Sequence, residues 1–256
     1  SIIALMLPPS HNLIIYSISA GGRISIADLF TAGVIPGLLL ALVLMITAWL
    51  VARKRNYATE PFPGFVVVGR IFINAVPGLI LVAIIFGGVR SGIFTASESS
   101  CIAVVYALLV TLLAYRTLSW KEFVAATMGA VRTSSMVLLI IGSAAAFGWL
   151  LAYMRVPTAL ASWITGISSN PLVILLILNI ALLVLGTFMD MSPLIAITTP
   201  IFLPVAVAVG VDPVHFGIIM ILNLGIGLCT PPVGAVLFVG CAVGKVPVGT
   251  VIRTIW

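Results

Sequence analysis

The sequence predicts an all-α polytopic membrane protein with discontinuous helices, and three observations support that class. Hydrophobic residues make up 62% of the chain and charged residues 7%, against roughly 25% charged in soluble domains; mean hydropathy is +1.34. Apolar runs recur along the whole chain, and at about 20 residues per span its length accommodates around eight crossings or re-entrant pieces. Adjacent prolines interrupt two of those runs, at Leu7-Pro8-Pro9-Ser10 and within Leu228-Cys229-Thr230-Pro231-Pro232-Val233-Gly234. Each pair removes two backbone donors and stops a regular helix at membrane depth. Irregular backbone survives there only where it is buried in protein or lines a polar cavity.

The charge pattern sets the topology. The net charge of +6 comes from basic residues placed singly or at the ends of apolar runs, so they read as orientation signals and not as a nucleic-acid surface. The chain opens Ser-Ile-Ile inside an apolar stretch, without an initiator Met or a signal-peptide n-region, and is expected to be a piece of a longer chain. Ser1 to Ala20 is interrupted by Pro8 to Asn12 and closed by Gly21-Gly22-Arg23. Ala27 to Ala52 is a full span with Gly33, Pro36 and Gly37 in its first part. Arg53-Lys54-Arg55 places the loop after it in the cytoplasm, which leaves Gly21 to Ile26 outside.

Tyr57 to Asn74, with Pro61, Pro63, Gly64 and Arg70, is too polar and broken for a span and is expected along the cytoplasmic interface. Ala75 to Val89 then crosses outward, and Arg90 to Ser100 is an external loop. Cys101 to Ala114 returns inward to an aromatic and basic anchor at Tyr115-Arg116 and Trp120-Lys121-Glu122. Phe123 to Arg155 crosses outward, loosened by Gly142 and Gly148, and Pro157 to Ile167 is a short amphipathic connector. Pro171 to Val209 carries Asp190 as its only charge, with Gly186, Pro193, Pro200 and Pro204; two spans or one re-entrant hairpin both fit it. Val214 to Val243 descends through the second break, with Lys245 and Arg253 on the cytoplasmic side. The chain so divides into a broken helix over 1–26 that ends a first repeat, membrane helices over 27–122, and a second repeat over 123–256. That last part holds the hairpin 171–209 and the broken helix 214–247.

Placing Pro8-Pro9 over Pro231-Pro232 sets Ala4 on Gly227, Leu7 on Thr230, Ile14 on Leu237 and Gly21 on Gly244. The first copy ends outside and the second inside, which is the pattern of an inverted-topology repeat. Broken helices in such repeats mark ion and substrate sites in secondary transporters.

Few side chains here are able to carry chemistry. Asp190 is the only acid within an apolar segment, where an ionised carboxylate costs about 2.5 to 3.5 kcal/mol. It reads either as a cation or proton site or as the N-cap of the second hairpin helix. Thr230 offers a hydroxyl, and Gly186, Gly227 and Val233 offer main-chain carbonyls, the hard neutral oxygens that small cations prefer. Ser10, His11 and Asn12 follow the first break, at a half-helix N-terminus suited to an anionic substrate. His215 beside Asp212-Pro213 reads as interfacial, Glu98 after Thr95 as a helix-start capping pattern, Arg132 and Arg155 as interface or cavity markers, and Trp149 with Tyr153 as belt or packing. Cys101, Cys229 and Cys241 lack metal-type spacing and read as small buried residues. There is no GxxxxGK[ST] phosphate loop, no haem-type histidine pair and no nucleophile with an adjacent base, so neither an ATPase nor an enzyme is indicated.

These residues resemble a known family. Gly186-Thr187-Phe188-Met189-Asp190-Met191 with Pro193, Thr199-Pro200-Ile201-Phe202-Leu203-Pro204-Val205-Ala206, Val211-Asp212-Pro213-Val214-His215-Phe216-Gly217 and Leu228 to Gly234 look like the large membrane subunit of tripartite ATP-independent periplasmic transporters. Gly87-Gly88-Val89-Arg90-Ser91-Gly92-Ile93-Phe94-Thr95 with Glu98, and Leu7-Pro8-Pro9-Ser10, fit in the same order, and the match corresponds to the C-terminal part of that subunit. The resemblance implies an elevator-type, sodium-coupled secondary transporter of the bacterial inner membrane, with no cofactor beyond the coupling ions. It implies three partners: the N-terminal part of the large subunit, a small membrane subunit and a periplasmic protein that delivers an organic acid. One sodium site would use carbonyls at Gly186, Gly227 and Val233 with Thr230, and the other Ala4, Leu7 and Pro9 with a second hairpin. After Pro-Pro-Ser the family often has an apolar residue and Pro, whereas this chain has His11-Asn12. That departure favours a sialic-acid-like substrate over a simple dicarboxylate. Proton coupling and a non-transporting scaffold subunit are the alternatives.

Overall fold

The computed structural model describes residues 2–56, 62–168, 170–231 and 234–255. Every regular element among them is helical, and six helices are long and apolar enough to cross a membrane. The first broken element consists of α1 (Ile3–Met6) and α2 (His11–Ser19). Pro8 and Pro9 carry no N–H, so the carbonyls four residues earlier, at Ala4 and Leu5, lose their helical donors. Ser10 Oγ replaces one of them by donating to the Leu5 carbonyl at 2.6 Å.

Helix α3 (Ile26–Lys54) begins at Ser25, whose hydroxyl accepts from the Asp28 amide, and ends in Arg53 and Lys54 at its negative pole. Gly33 faces the Met6 carbonyl and Gly37 faces Leu7, where an added Cβ would lie 3.0 Å from Leu7 Cδ2. These small residues seat the first break against α3.

Helix α4 (Phe65–Arg90) is one continuous helix, not an interfacial stretch followed by a span from Ala75. Its N-cap Gly64 has φ +91°, which ends the Pro-containing segment before the first turn. From Phe65 onward Arg70 is the only charge before Arg90, and a long cationic side chain near a helix end reaches back to the interface. The part of that expectation covering Tyr57 to Pro61 lies outside the described residues. Helix α5 (Ala96–Leu109) opens with a reciprocal Thr95–Glu98 capping box and passes into a π-helical turn over Val110–Tyr115. Cys101 on it is exposed rather than buried, in a cleft that it lines with Ile84 of α4, and Cys229 is only partly buried.

Helix α6 (Trp120–Tyr153) is capped by Ser119 and Glu122 and runs unbroken through Gly142 and Gly148. Gly148 does not loosen it but admits a neighbour: a Cβ there would lie 3.3 Å from Pro200 Cγ. Helix α7 (Val156–Ile167) is the expected connector. The helical hairpin follows as α8 (Pro171–Phe188) and α9 (Met191–Ala208), separated only by Met189 and Asp190. The second broken element is α10 (Pro213–Gly227) and α11 (Ala235–Gly244), and α12 (Val248–Ile255) closes the described chain.

The core lies where α2, α8, α9 and α10 meet, around the fully buried Tyr16, Leu178, Leu182, Ile195, Phe216 and Met220. Helices α3 to α6 expose apolar side chains over most of their surface. The first broken element runs antiparallel to α10. Ile2 and Leu5 pack at Gly225, while Tyr16, further along the first element, packs at Gly217 and donates to the Pro213 carbonyl at 2.7 Å.

Candidate functional site

The tip of the α8–α9 hairpin sits between the two broken elements. On one side it meets the end of α10. Pro231 lacks the N–H that the Gly227 carbonyl would receive in a continuous helix, and Pro232 does the same to Leu228. The chain recovers part of the loss locally: the Thr230 amide donates to the Gly227 carbonyl at 2.9 Å, and the Thr230 hydroxyl donates to the Ile226 carbonyl at 2.9 Å. Gly227 and Gly186 touch. A Cβ on Gly227 would lie 3.0 Å from both Cα and C of Gly186 and 3.3 Å from its carbonyl oxygen.

Gly234 closes this junction from the far side of the break. Its amide donates to the Thr187 carbonyl at 3.3 Å. Its φ of +41° suits glycine, and a Cβ there would lie 2.9 Å from the Leu228 carbonyl oxygen and 3.1 Å from that of Thr230. Main-chain oxygens from the end of α8 and from the break are thereby gathered around backbone that has no side chain. Of the sequence-derived set, Gly186 and Gly227 are in contact and Thr230 is bonded to the Gly227 carbonyl; Val233 lies outside the described residues.

On the other side the tip meets the start of α2. His11 Nε2 and Ser192 Oγ are 3.4 Å apart. Asn12, 1% exposed, donates to Met191 Sδ at 3.3 Å, and its Oδ1 accepts from Ser192 Oγ at 3.4 Å. A cleft of about 780 Å³ opens between α2, α6 and the tip, with His11, Thr133, Ser134, Asp190 and Ser192 as its polar lining. Of the three residues assigned to substrate, His11 lines this cleft, Asn12 ties α2 to the hairpin, and Ser10 is buried with its hydroxyl on Leu5.

Asp190 occupies the N-cap position of α9, but its carboxylate accepts no bond from the α9 amides. It is exposed at the cleft instead. Asp212 does make the bonds of a cap, accepting from the amides of Val214 and His215 at 2.9 and 3.0 Å. Ala4, Leu7 and Pro9 stay apart from this junction, at the first break beside α3. The polar wall of α6 was missed in the sequence, although Thr133-Ser134-Ser135 stands out in an apolar span.

An all-α polytopic membrane protein with paired helix breaks and a helical hairpin is the class that this fold defines. The chain belongs to the family described as the DctM component of tripartite ATP-independent periplasmic transporters, which residues 1–256 match. It is 46% identical over 251 residues to the protein YgiK of Salmonella typhimurium, covering 98% of this chain and 57% of that protein. It is 40% identical over 252 residues to the sialic acid transporter large permease protein SiaM of Vibrio cholerae, covering 98% and 58%. It is 39% identical over 251 residues to the C4-dicarboxylate transporter large permease protein DctM of Pseudomonas aeruginosa, again 98% and 58%. The chain therefore spans less than two thirds of the length of these relatives. It is a multi-pass inner-membrane protein, and its family is one of transporter components, not of enzymes.

Proposed function

We propose that this chain forms the ion-coupled core of a sodium-driven uptake permease for an organic acid. The observation that carries the reading is the contact of Gly186 with Gly227, where Pro231 has removed a helical donor. Carbonyls of Gly186, Gly227 and Val233 with the Thr230 hydroxyl hold one sodium ion. The Thr230 proton is committed to Ile226, which leaves the oxygen lone pairs for a cation. Neutral oxygens suit a monovalent ion because they bury no second charge. The first break, through Ala4, Leu7 and Pro9, frames a second sodium site.

Sodium binding draws the tip onto the break. The same short tip carries Asp190 and Ser192 into the cleft, so ion occupancy and cleft shape are coupled by differential affinity for the closed arrangement. The acid lies in that cleft beside His11, where the N-termini of α2 and α9 offer positive dipole ends to a carboxylate. The loaded core then moves against the helices of residues 27–122 in elevator fashion. A periplasmic protein delivers the acid, and a small membrane subunit completes the transporter. The relatives name both sialic acid and C4-dicarboxylate; His11-Asn12 after the first break favours the former class.

Uptake by the complete transporter in liposomes, with and without a sodium gradient, tests this. Thr230→Val is expected to raise the sodium concentration needed for half-maximal uptake while the complex still assembles. Unchanged sodium dependence would remove Thr230 from the site. A second reading, proton coupling, is favoured by the unpaired Asp190 carboxylate at the cleft. It requires that Asp190→Asn abolish uptake and that a pH gradient replace sodium.

A further inference from the structure

We propose that Asn179 and Asn223 are the positioning pair that sets how closely Gly186 approaches Gly227. Asn223 Nδ2 donates to both acceptors that Asn179 presents, its main-chain carbonyl at 2.9 Å and its Oδ1 at 2.8 Å. Asn179 Nδ2 is in turn committed to the Leu175 carbonyl at 2.8 Å. The orientation of the Asn223 amide is thereby fixed, because turning it over would set its oxygen against two acceptors. Asn179 lies about two turns before Gly186 on α8, and Asn223 one turn before Gly227 on α10. The helices run side by side from the asparagine pair to the glycine contact, so a shift at the pair is carried by rigid helix to the junction.

The pair also leaves Asn223 Oδ1 buried without a hydrogen-bond partner. An orphan acceptor in an apolar seam is unfavourable, and leucines at both positions would avoid it. Retaining the amides makes sense where they specify register rather than add stability. Here the register decides whether the carbonyls of Gly186 and Gly227 converge. Asn179 and Asn223 touch no ion and no substrate; they act through the two glycines.

This inference rests on the sodium reading for its consequence in transport but not for its structural content, and the experiment separates the two. Amide hydrogen exchange at residues 187–192 is measured on the full-length transporter in lipid nanodiscs containing choline chloride. Sodium dependence of uptake is measured in parallel. Asn223→Leu is expected to speed exchange at the tip and to raise the half-saturating sodium concentration by roughly three- to tenfold. The maximal rate and the substrate half-saturation at saturating sodium should stay unchanged. Asn179→Leu should act in the same direction but more weakly, since the main-chain acceptor of residue 179 remains. Wild-type exchange and wild-type sodium dependence in Asn223→Leu would overturn the proposal. If uptake by the wild type ignores sodium, the sodium reading fails, and the pair stands or falls on tip exchange alone. Asn223→Thr, polar but too short to reach Asn179, serves if the leucine variant does not accumulate.

Discussion

Gly227 packs against Gly186 with no room for a side chain between them: a Cβ on Gly227 would stand 3.0 Å from the Gly186 backbone. Both partners at this point are main chain, which cannot rotate aside as the end of a side chain can. Gly227→Ala therefore has to push the end of α8 away from the second break. A destabilisation of about 1–3 kcal/mol is expected from overpacking, together with loss of uptake at normal membrane abundance. Thermal unfolding of the purified transporter and uptake by the same preparation measure the two effects. Retention of both would mean that the junction tolerates separation.

The antiparallel packing of α2 against α10 depends on Tyr16. Its ring lies on Gly217, where any added methyl group would overlap it, and its hydroxyl donates to the Pro213 carbonyl at 2.7 Å. Tyr16→Phe keeps the ring and loses one hydrogen bond, at a cost of about 0.5–1.5 kcal/mol. Gly217→Ala should cost more, because neither the ring nor α10 has space to move into. Melting temperatures of the two variants give the order directly, and the reverse order would show that the ring contact is loose.

Two aspartates occupy helix N-caps and should behave differently. Asp212 accepts from two amides of α10, so Asp212→Ala should lower stability by about 0.5–2 kcal/mol. Asp190 accepts from none, so Asp190→Ala should leave the melting temperature nearly unchanged while altering uptake through the cleft it lines. Equal destabilisation by the two substitutions would show that Asp190 caps α9 after all.

The breaks were legible in the sequence because their cause is local. A proline deprives the carbonyl four residues before it, and that rule picks out Ala4 from Pro8 and Gly227 from Pro231 without any knowledge of the fold. The hairpin was legible as an apolar run with one acid and four prolines, but its geometry was not. Asp190 at an N-cap position was one of two readings of the sequence, and its lack of a capping bond depends on side-chain direction. The start of α4 was misread because Arg70 and the preceding prolines weighed as polar breaks, although all three prolines and glycines of that cluster precede Phe65. Thr133 and Ser134 gained meaning only when α6 was seen to face α2 across the cleft. The Asn179–Asn223 pair joins helices distant in sequence, and no local signal links the two.

The sodium site proposed at Gly186, Gly227 and Thr230 is tested most directly by ligand-linked stability, because an ion that binds only the folded junction raises its melting temperature. The melting temperature of the full-length transporter is measured in sodium chloride and in choline chloride at equal ionic strength, for the wild type and for Thr230→Val. A higher melting temperature in sodium for the wild type, reduced or lost in Thr230→Val, is the predicted result. Equal melting in both salts for the wild type, or an undiminished sodium effect in Thr230→Val, would contradict the assignment.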